Sequence, residues 1–263
     1  MEIPFQRWYD ALLRRRSRRL YQAKAVPPNV LQSLADTYTN FRPFDSVRAA
    51  SARMTDDVFK GIIGAYGKIR GAPHMIAFIG DTRDRHVREK IGYYGEAIVL
   101  EATALGLGTC WVGKSFDRNV ASSFVVLEEH EHIFAITPIG YAAERSSFEE
   151  RALTAFGRSH ARKPLGELAS GLPENTWSEW TRKSLEAARL APSAVNRQPW
   201  RFYVEHGRIT ISVDTMDDSY GISKRIDCGI AMLHIEIAAL ACGVSGTWEF
   251  LDPPRVAAFV ARS

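Results

Sequence analysis

The sequence predicts an α+β protein made of two pseudo-symmetric halves, residues 1–163 and 164–263, intertwined in one globular unit. Three observations lead there. The first is an internal repeat: IGYYGEAIVLEATALGLGTCW (91–111) aligns without gaps on CGIAMLHIEIAALACGVSGTW (228–248), pairing Gly92 with Gly229, Gly106 with Gly243 and Trp111 with Trp248. Both are long apolar helical patterns, and a helix that apolar needs burial on more than one side, so the two should pack on each other across the middle. The second is a set of short strand patterns, with Pro73 and Pro199 each introducing one. The third is composition: 263 residues, 46% hydrophobic and 24% charged, describe a globular chain of one large or two small domains.

Several classes drop out early. No apolar run approaches the roughly 18 to 20 residues of a membrane span, and MEIPFQRWYD lacks the apolar core and small-residue cleavage pattern of a signal peptide. The expectation is a cytoplasmic protein with no membrane partner. Cys110, Cys228 and Cys242 are odd in number, without metal-type or CxxC spacing, and read as small buried hydrophobes. Net charge is +4, but Arg7, Arg14, Arg15, Arg16, Arg18, Arg19 and Lys24 stand against only Glu2 and Asp10 in the first 24 residues, leaving the rest near neutral. A nucleic-acid surface would spread its basic residues over several elements. Charge this focused suits one compact anion.

In chain order, Ile3, Trp8, Leu12 and Leu13 space a first amphipathic helix that runs into LRRRSRRLY. Pro27-Pro28 opens a second, from Asn29 to about Tyr38. A strand over 47–54, a helix over 56–65 and a buried strand over 75–79 follow. The spacing then predicts a long helix over 85–105, with Gly106 and Gly108 as left-handed caps leading into a strand at 110–112. Because these glycines close a helix rather than open one, they do not make a dinucleotide fingerprint. EEHEH (128–132) reads as a charged loop or strand end, and residues 134–141 as a strand. After a polar stretch, Pro164 starts a short helix and residues 173–190 form a longer one. Two alternating strands, 201–205 and 208–213, flank His206-Gly207 as a hairpin. Residues 226–242 complete the repeat, with His234 a packing histidine.

The stretch Ala191 to Phe202, APSAVNRQPWRF, must be a shaped loop, since Pro192 and Pro199 cannot continue a helix. Ser193, Asn196 and Gln198 offer uncharged donors and acceptors that suit the edge of a flat heterocycle. An ordinary helix-to-strand connection is the alternative. With the preceding SLEAARL, this segment resembles the Pro-Ser, Asn-x-Gln-Pro-Trp run of FMN-dependent nitroreductases, in which those residues face the flavin. Arg15-Arg16-Ser17, Arg19 and Tyr21 likewise resemble that family's Arg-Arg-Ser-x-Arg-x-aromatic signature, which binds the FMN phosphate. Guanidinium forks pair bidentately with phosphate oxygens, so the chemistry is apt.

The signature occurs only in the first half and the Pro-Ser run only in the second, TNFRPFDS standing in the latter's place before. The chain is therefore most similar to the single-chain TM nitroreductase branch, in which one polypeptide supplies both halves of the family's homodimer. The resemblance implies a three-layer fold and one FMN site, at the seam between the halves of a monomeric internal pseudo-dimer. It assigns Arg15, Arg16, Ser17 and Arg19 to phosphate and ribityl, Pro192, Ser193, Asn196 and Gln198 to the ring, and Arg162 and Lys163 to a basic turn reaching back to the phosphate. The implied activity is hydride transfer from NAD(P)H through FMN to a small electron-poor substrate, nitro, quinone or related. No side chain stands out as a catalytic proton donor, and no metal or nucleic acid is expected. A non-catalytic flavin-binding sensor or carrier is the alternative.

Overall fold

The chain opens with α1 (Phe5–Arg14), whose inner face buries Trp8, Ala11 and Leu12. Pro27 and Pro28 start α2 (Pro28–Asn40), where a missing N–H costs nothing because the first amides of a helix have no partner. In this computed structural model, which describes residues 1–59, 69–143 and 161–262, the first half continues with β1 (Val47–Arg53), β2 (His74–Asp81), α3 (Val87–Ala104), the short α4 (Arg118–Ser122) and β3 (Glu131–Ile139). The three strands form an antiparallel sheet in the order β1-β2-β3. The second half carries α5 (Leu165–Leu168), β4 (Ala169–Gly171), α6 (Glu179–Arg189), β5 (Trp200–Glu205), β6 (Arg208–Val213), α7 (Lys224–Ala241), β7 (Gly246–Phe250) and β8 (Arg255–Ala261). Its sheet runs β4-β5-β6-β8-β7, with only β4 and β5 parallel.

The layers follow from the apolar helices. α3 lies on the first sheet, α7 on the second, and the two pack on each other, so helices fill the space between sheets. Both are buried almost throughout, as their all-round apolarity requires. Their crossing depends on two glycines: a Cβ at Gly92 would stand 2.0 Å from the Ile226 carbonyl oxygen, and one at Gly229 would stand 1.9 Å from that of Glu89. α1 packs against both central helices. It is fixed by Glu101 of α3, which accepts from Arg7 Nη2 at 2.7 Å and from Trp8 Nε1 at 2.9 Å.

Several expectations need correction. Pro173 starts only a 3₁₀ turn (Glu174–Thr176), and α6 begins at Glu179 because Ser178 caps it, its Oγ accepting from the Thr181 amide at 3.4 Å. Gly106 and Gly243 adopt the left-handed caps, at φ 81° and 75°, but Gly108 does not. Its N–H instead donates to the Gly140 carbonyl at 2.7 Å in an isolated bridge. Residues 110–112 make no strand, only a bridge from Val112 to Ile136. Of the helix expected over 56–65, the described part is a 3₁₀ turn, Asp56–Phe59. The remainder, and most of the polar stretch after 143, lies outside the described residues. β7 and β8 were not expected. β8 is buried over Val256 to Phe259, and such a continuous apolar run does not advertise a strand by alternation. Among the described residues no helix is long and apolar enough to cross a membrane, and no three His, Cys, Asp or Glu side chains are arranged to hold a metal ion.

Candidate functional site

Four guanidinium groups converge where the end of α1 meets the end of α6. Arg15 follows directly on α1 and is buried, with its Nε 3.7 Å from Glu96 Oε1 of α3. Burial holds its pKa below the usual arginine range, with Glu96 and Cys110 opposing and the Arg16 charge adding to the shift. Arg162, from the segment just before α5, has a pKa pushed down to about 10, first by burial and then by the charges of Arg15, Arg16 and Arg189. Arg189 ends α6, and its Nε is buried with no hydrogen-bond partner among the described residues. Mutual repulsion in a half-dry place is unfavourable, and a bound dianion would relieve it. Guanidinium donors and an orphaned N–H are what a phosphate group requires, so these residues fit one.

The rest of the signature leaves α1 as an extended segment pinned on two sides. Ser17 bridges Thr109, Arg18 N donates to the Thr109 carbonyl at 2.7 Å, and Arg70 N donates to the Arg19 carbonyl at 2.9 Å. Tyr21 is buried with its hydroxyl on the Arg18 carbonyl at 2.7 Å, which fixes the turn.

The loop between α6 and β5 is strained. Val195, Asn196 and Gln198 all occupy the left-handed region, at φ 51°, 57° and 50°. For a β-branched valine this is a true outlier, and such residues cost about 1–3 kcal/mol each unless their surroundings impose the conformation. Here they do. Ser193 Oγ accepts from the Gln198 amide at 2.9 Å. Asp227 of α7 accepts from the Ala194 amide at 3.1 Å and from Arg197 Nε at 2.7 Å, while the other Arg197 nitrogens donate to the Ser219 and Ile222 carbonyls. Burial pushes the Asp227 carboxyl up to about 6 against the pull of Arg197.

The predicted loop and basic turn are joined. Arg162 Nη1 donates to Asn196 Oδ1 at 2.7 Å, and Lys163 N donates to Gln198 Oε1 at 2.8 Å. Asn196 Nδ2 and Gln198 Nε2 both donate to the Ala161 carbonyl, at 2.9 and 3.2 Å. Gln198 is buried, so its carboxamide clasps residues 161–163, while Pro192 is buried and Ser193 and Asn196 are half-buried. Arg15, Arg16, Arg162, Lys163, Asn196 and Gln198 thus come together, and Ser17 and Arg19 continue the segment from Arg15. Sequence reasoning missed Arg189, Arg197, Asp227 and Glu96. A basic residue in the last helical turn before the loop was the one available signal for Arg189.

Beneath the arginines lies a buried polar network. Glu96 Oε2 accepts from Trp111 Nε1 at 2.7 Å, and its Oε1 stands 3.1 Å from His234 Nε2, whose ring places Nδ1 2.9 Å from the Ala187 carbonyl of α6. Two surface cavities, of about 360 Å³ beside β1 and β3 and about 220 Å³ at the start of α7, contain none of the residues above. Charge and backbone strain mark the site.

The sequence pattern of the family described as "Putative TM nitroreductase" matches residues 7–239. Among solved structures, that of a putative nitroreductase from Thermotoga maritima MSB8 superposes with a TM-score of 0.65 at 19% identity, covering 96% of this chain and 93% of that one. A nitroreductase family protein from Clostridium difficile 630 gives 0.45 at 20% identity, covering 65% of this chain and 98% of its own. A nitroreductase with bound FMN from Bacteroides fragilis NCTC 9343 gives 0.43 at 15% identity, with 65% and 97% covered. No curated protein matches.

Proposed function

Since the chain belongs to the TM nitroreductase family, we propose that it is an FMN-dependent oxidoreductase. When bound, FMN supplies two-electron chemistry between NAD(P)H as donor and a small electron-poor acceptor, nitro, quinone or related. The protein's tasks are to seat the phosphate, shape the cleft and place donors. Arg15, Arg16, Ser17, Arg19, Arg162 and Lys163 hold the phosphate and ribityl end. Pro192, Ser193, Asn196 and Gln198 shape the ring end with uncharged groups, on a loop whose strained backbone Arg197 and Asp227 keep in one conformation. A loop held this firmly has lost its ordering entropy before ligand arrives, which favours binding.

The observation that carries this reading is the cluster of Arg15, Arg16, Arg162 and Arg189, in which burial first and then the charges of the other three lower the Arg162 pKa, with the Arg189 Nε lacking a hydrogen-bond partner among the described residues. It is tested by the absorption spectrum of the purified protein and by FMN titration, followed by NAD(P)H oxidation with an artificial acceptor. A yellow protein that turns over NAD(P)H is expected. Failure to bind FMN would overturn the proposal, and flavin binding without turnover would leave the sensor or carrier reading in its place.

A further inference from the structure

The pair His234–Glu96 lies directly behind Arg15, and nothing in the cofactor assignments uses it. Both residues are fully buried, His234 on α7 and Glu96 on α3. Nδ1 of His234 faces the Ala187 carbonyl oxygen at 2.9 Å, and Nε2 faces Glu96 Oε1 at 3.1 Å. A carbonyl oxygen only accepts, so Nδ1 must carry hydrogen. An ionised carboxylate also only accepts, so Nε2 must carry one too. A neutral imidazole has a single N–H, and beside an ionised Glu96 it would set two lone pairs against each other in a dry interior. One extra proton is therefore held between the two groups.

Its location follows from what else faces the carboxylate. Trp111 Nε1 donates to Oε2 at 2.7 Å, and Arg15 Nε stands 3.7 Å from Oε1. Both favour the ionised form of Glu96, which puts the proton on the ring. From α3 the imidazole meets Glu96, with Arg15, just past α1, behind it and the Cys110 thiol within electrostatic reach of Arg15. From α6 it meets the Ala187 carbonyl.

We infer that His234 is a buried imidazolium that acts as a positioning residue for the cofactor's phosphate, by neutralising Glu96 and so leaving the charge of Arg15 to the bound anion. With His234 charged, the group Arg15, Glu96 and His234 carries one net positive charge beneath the seat. Without it, Glu96 cancels Arg15. The inference rests on the FMN reading above, and its tests separate the two.

In the wild-type protein labelled with ¹⁵N-histidine, His234 should show two protonated ring nitrogens at neutral pH. A signal from one unprotonated ring nitrogen would overturn the inference without any mutation. In FMN titrations followed by flavin fluorescence, His234→Gln should weaken binding about tenfold, the scale of one unit charge acting across a partly screened distance. The double variant His234→Gln/Glu96→Gln should recover most of that loss, because it restores the net charge while removing both native side chains. Riboflavin, which has no phosphate, should bind the single and double variants alike. A double variant as weak as the single one would show that packing rather than charge is responsible, and the inference would fall. A wild type that binds no flavin would overturn the FMN reading and the phosphate role with it, the nitrogen signals still deciding the charge on His234.

Discussion

Arg15 sits buried at the end of α1 with its Nε 3.7 Å from Glu96 Oε1. Arg15→Ala or Arg19→Ala should lower FMN affinity by roughly ten- to a hundredfold, about 1.5–3 kcal/mol, through one lost charge-assisted contact. A flavin titration unchanged by either substitution would contradict the phosphate assignment. Asp227 lends itself to a pH experiment. Its folded carboxyl titrates at about 6, burial outweighing Arg197, against an ordinary 3.8. A folded pKa above the unfolded one means that the folded chain holds the proton more tightly. The stability this group contributes is therefore present in acid, below about pH 4, and lost as pH rises through about 6. The loss should be on the order of 2–3 kcal/mol. Relative to wild type, Asp227→Asn should gain about that much in urea stability between pH 4 and pH 7, and a constant gap would mean that Asp227 stays ionised throughout.

At the scale of elements, the crossing of α3 and α7 is the tightest joint. Backbone rather than a flexible side chain stands where a Cβ at Gly92 or Gly229 would go, so neither contact can yield by a rotamer change. Gly92→Ala or Gly229→Ala should destabilise by at least roughly 1–3 kcal/mol, the cost of overpacking a core, despite the better helix propensity of alanine. Gly166 is the control, with open space around its Cβ position. Equal denaturant midpoints for Gly229→Ala and Gly166→Ala would refute this account of the joint. The loop between α6 and β5 depends on elements too. Its three left-handed residues persist because α7, through Asp227, and residues 161–163 grip it from two sides.

At the scale of the whole molecule, each half brings a different part of the candidate site. The first supplies Arg15 to Arg19 and the second supplies residues 192 to 198, and among the described residues the stretches that would have to supply the alternative combination are engaged elsewhere. In the first half, TNFRPFDS places Phe44 against Tyr93 and Phe250, with ring centroids 5.4 and 5.6 Å away, and Phe41 against Trp8. In the second, Arg182 is bonded to Glu174, and Ser184 is buried inside α6 with its hydroxyl on the Ile235 carbonyl. We expect one FMN per polypeptide and a protein that is monomeric. The ratio of flavin absorbance to protein, read alongside sedimentation, checks both. Two flavins per chain, or one shared by two chains, would contradict this.

What the sequence by itself determined is local. The apolar period placed α3 and α7, glycine at a helix end foretold the left-handed caps at Gly106 and Gly243, and two prolines around Ser193, Asn196 and Gln198 announced a shaped loop. The concentration of arginine before Leu20 pointed to a compact anion. Only the tertiary structure decided which distant groups meet. The charge of Arg189 acts on Arg162 across 27 residues, Arg197 finds Asp227 across 30, and Glu96 faces His234 across 138. An ion pair leaves no period in the chain, because its strength depends on separation in space and on the exclusion of water, and folding sets both. For the same reason His234 reads as a packing residue in one dimension, whereas in three both of its ring nitrogens face oxygen atoms, of Ala187 and Glu96.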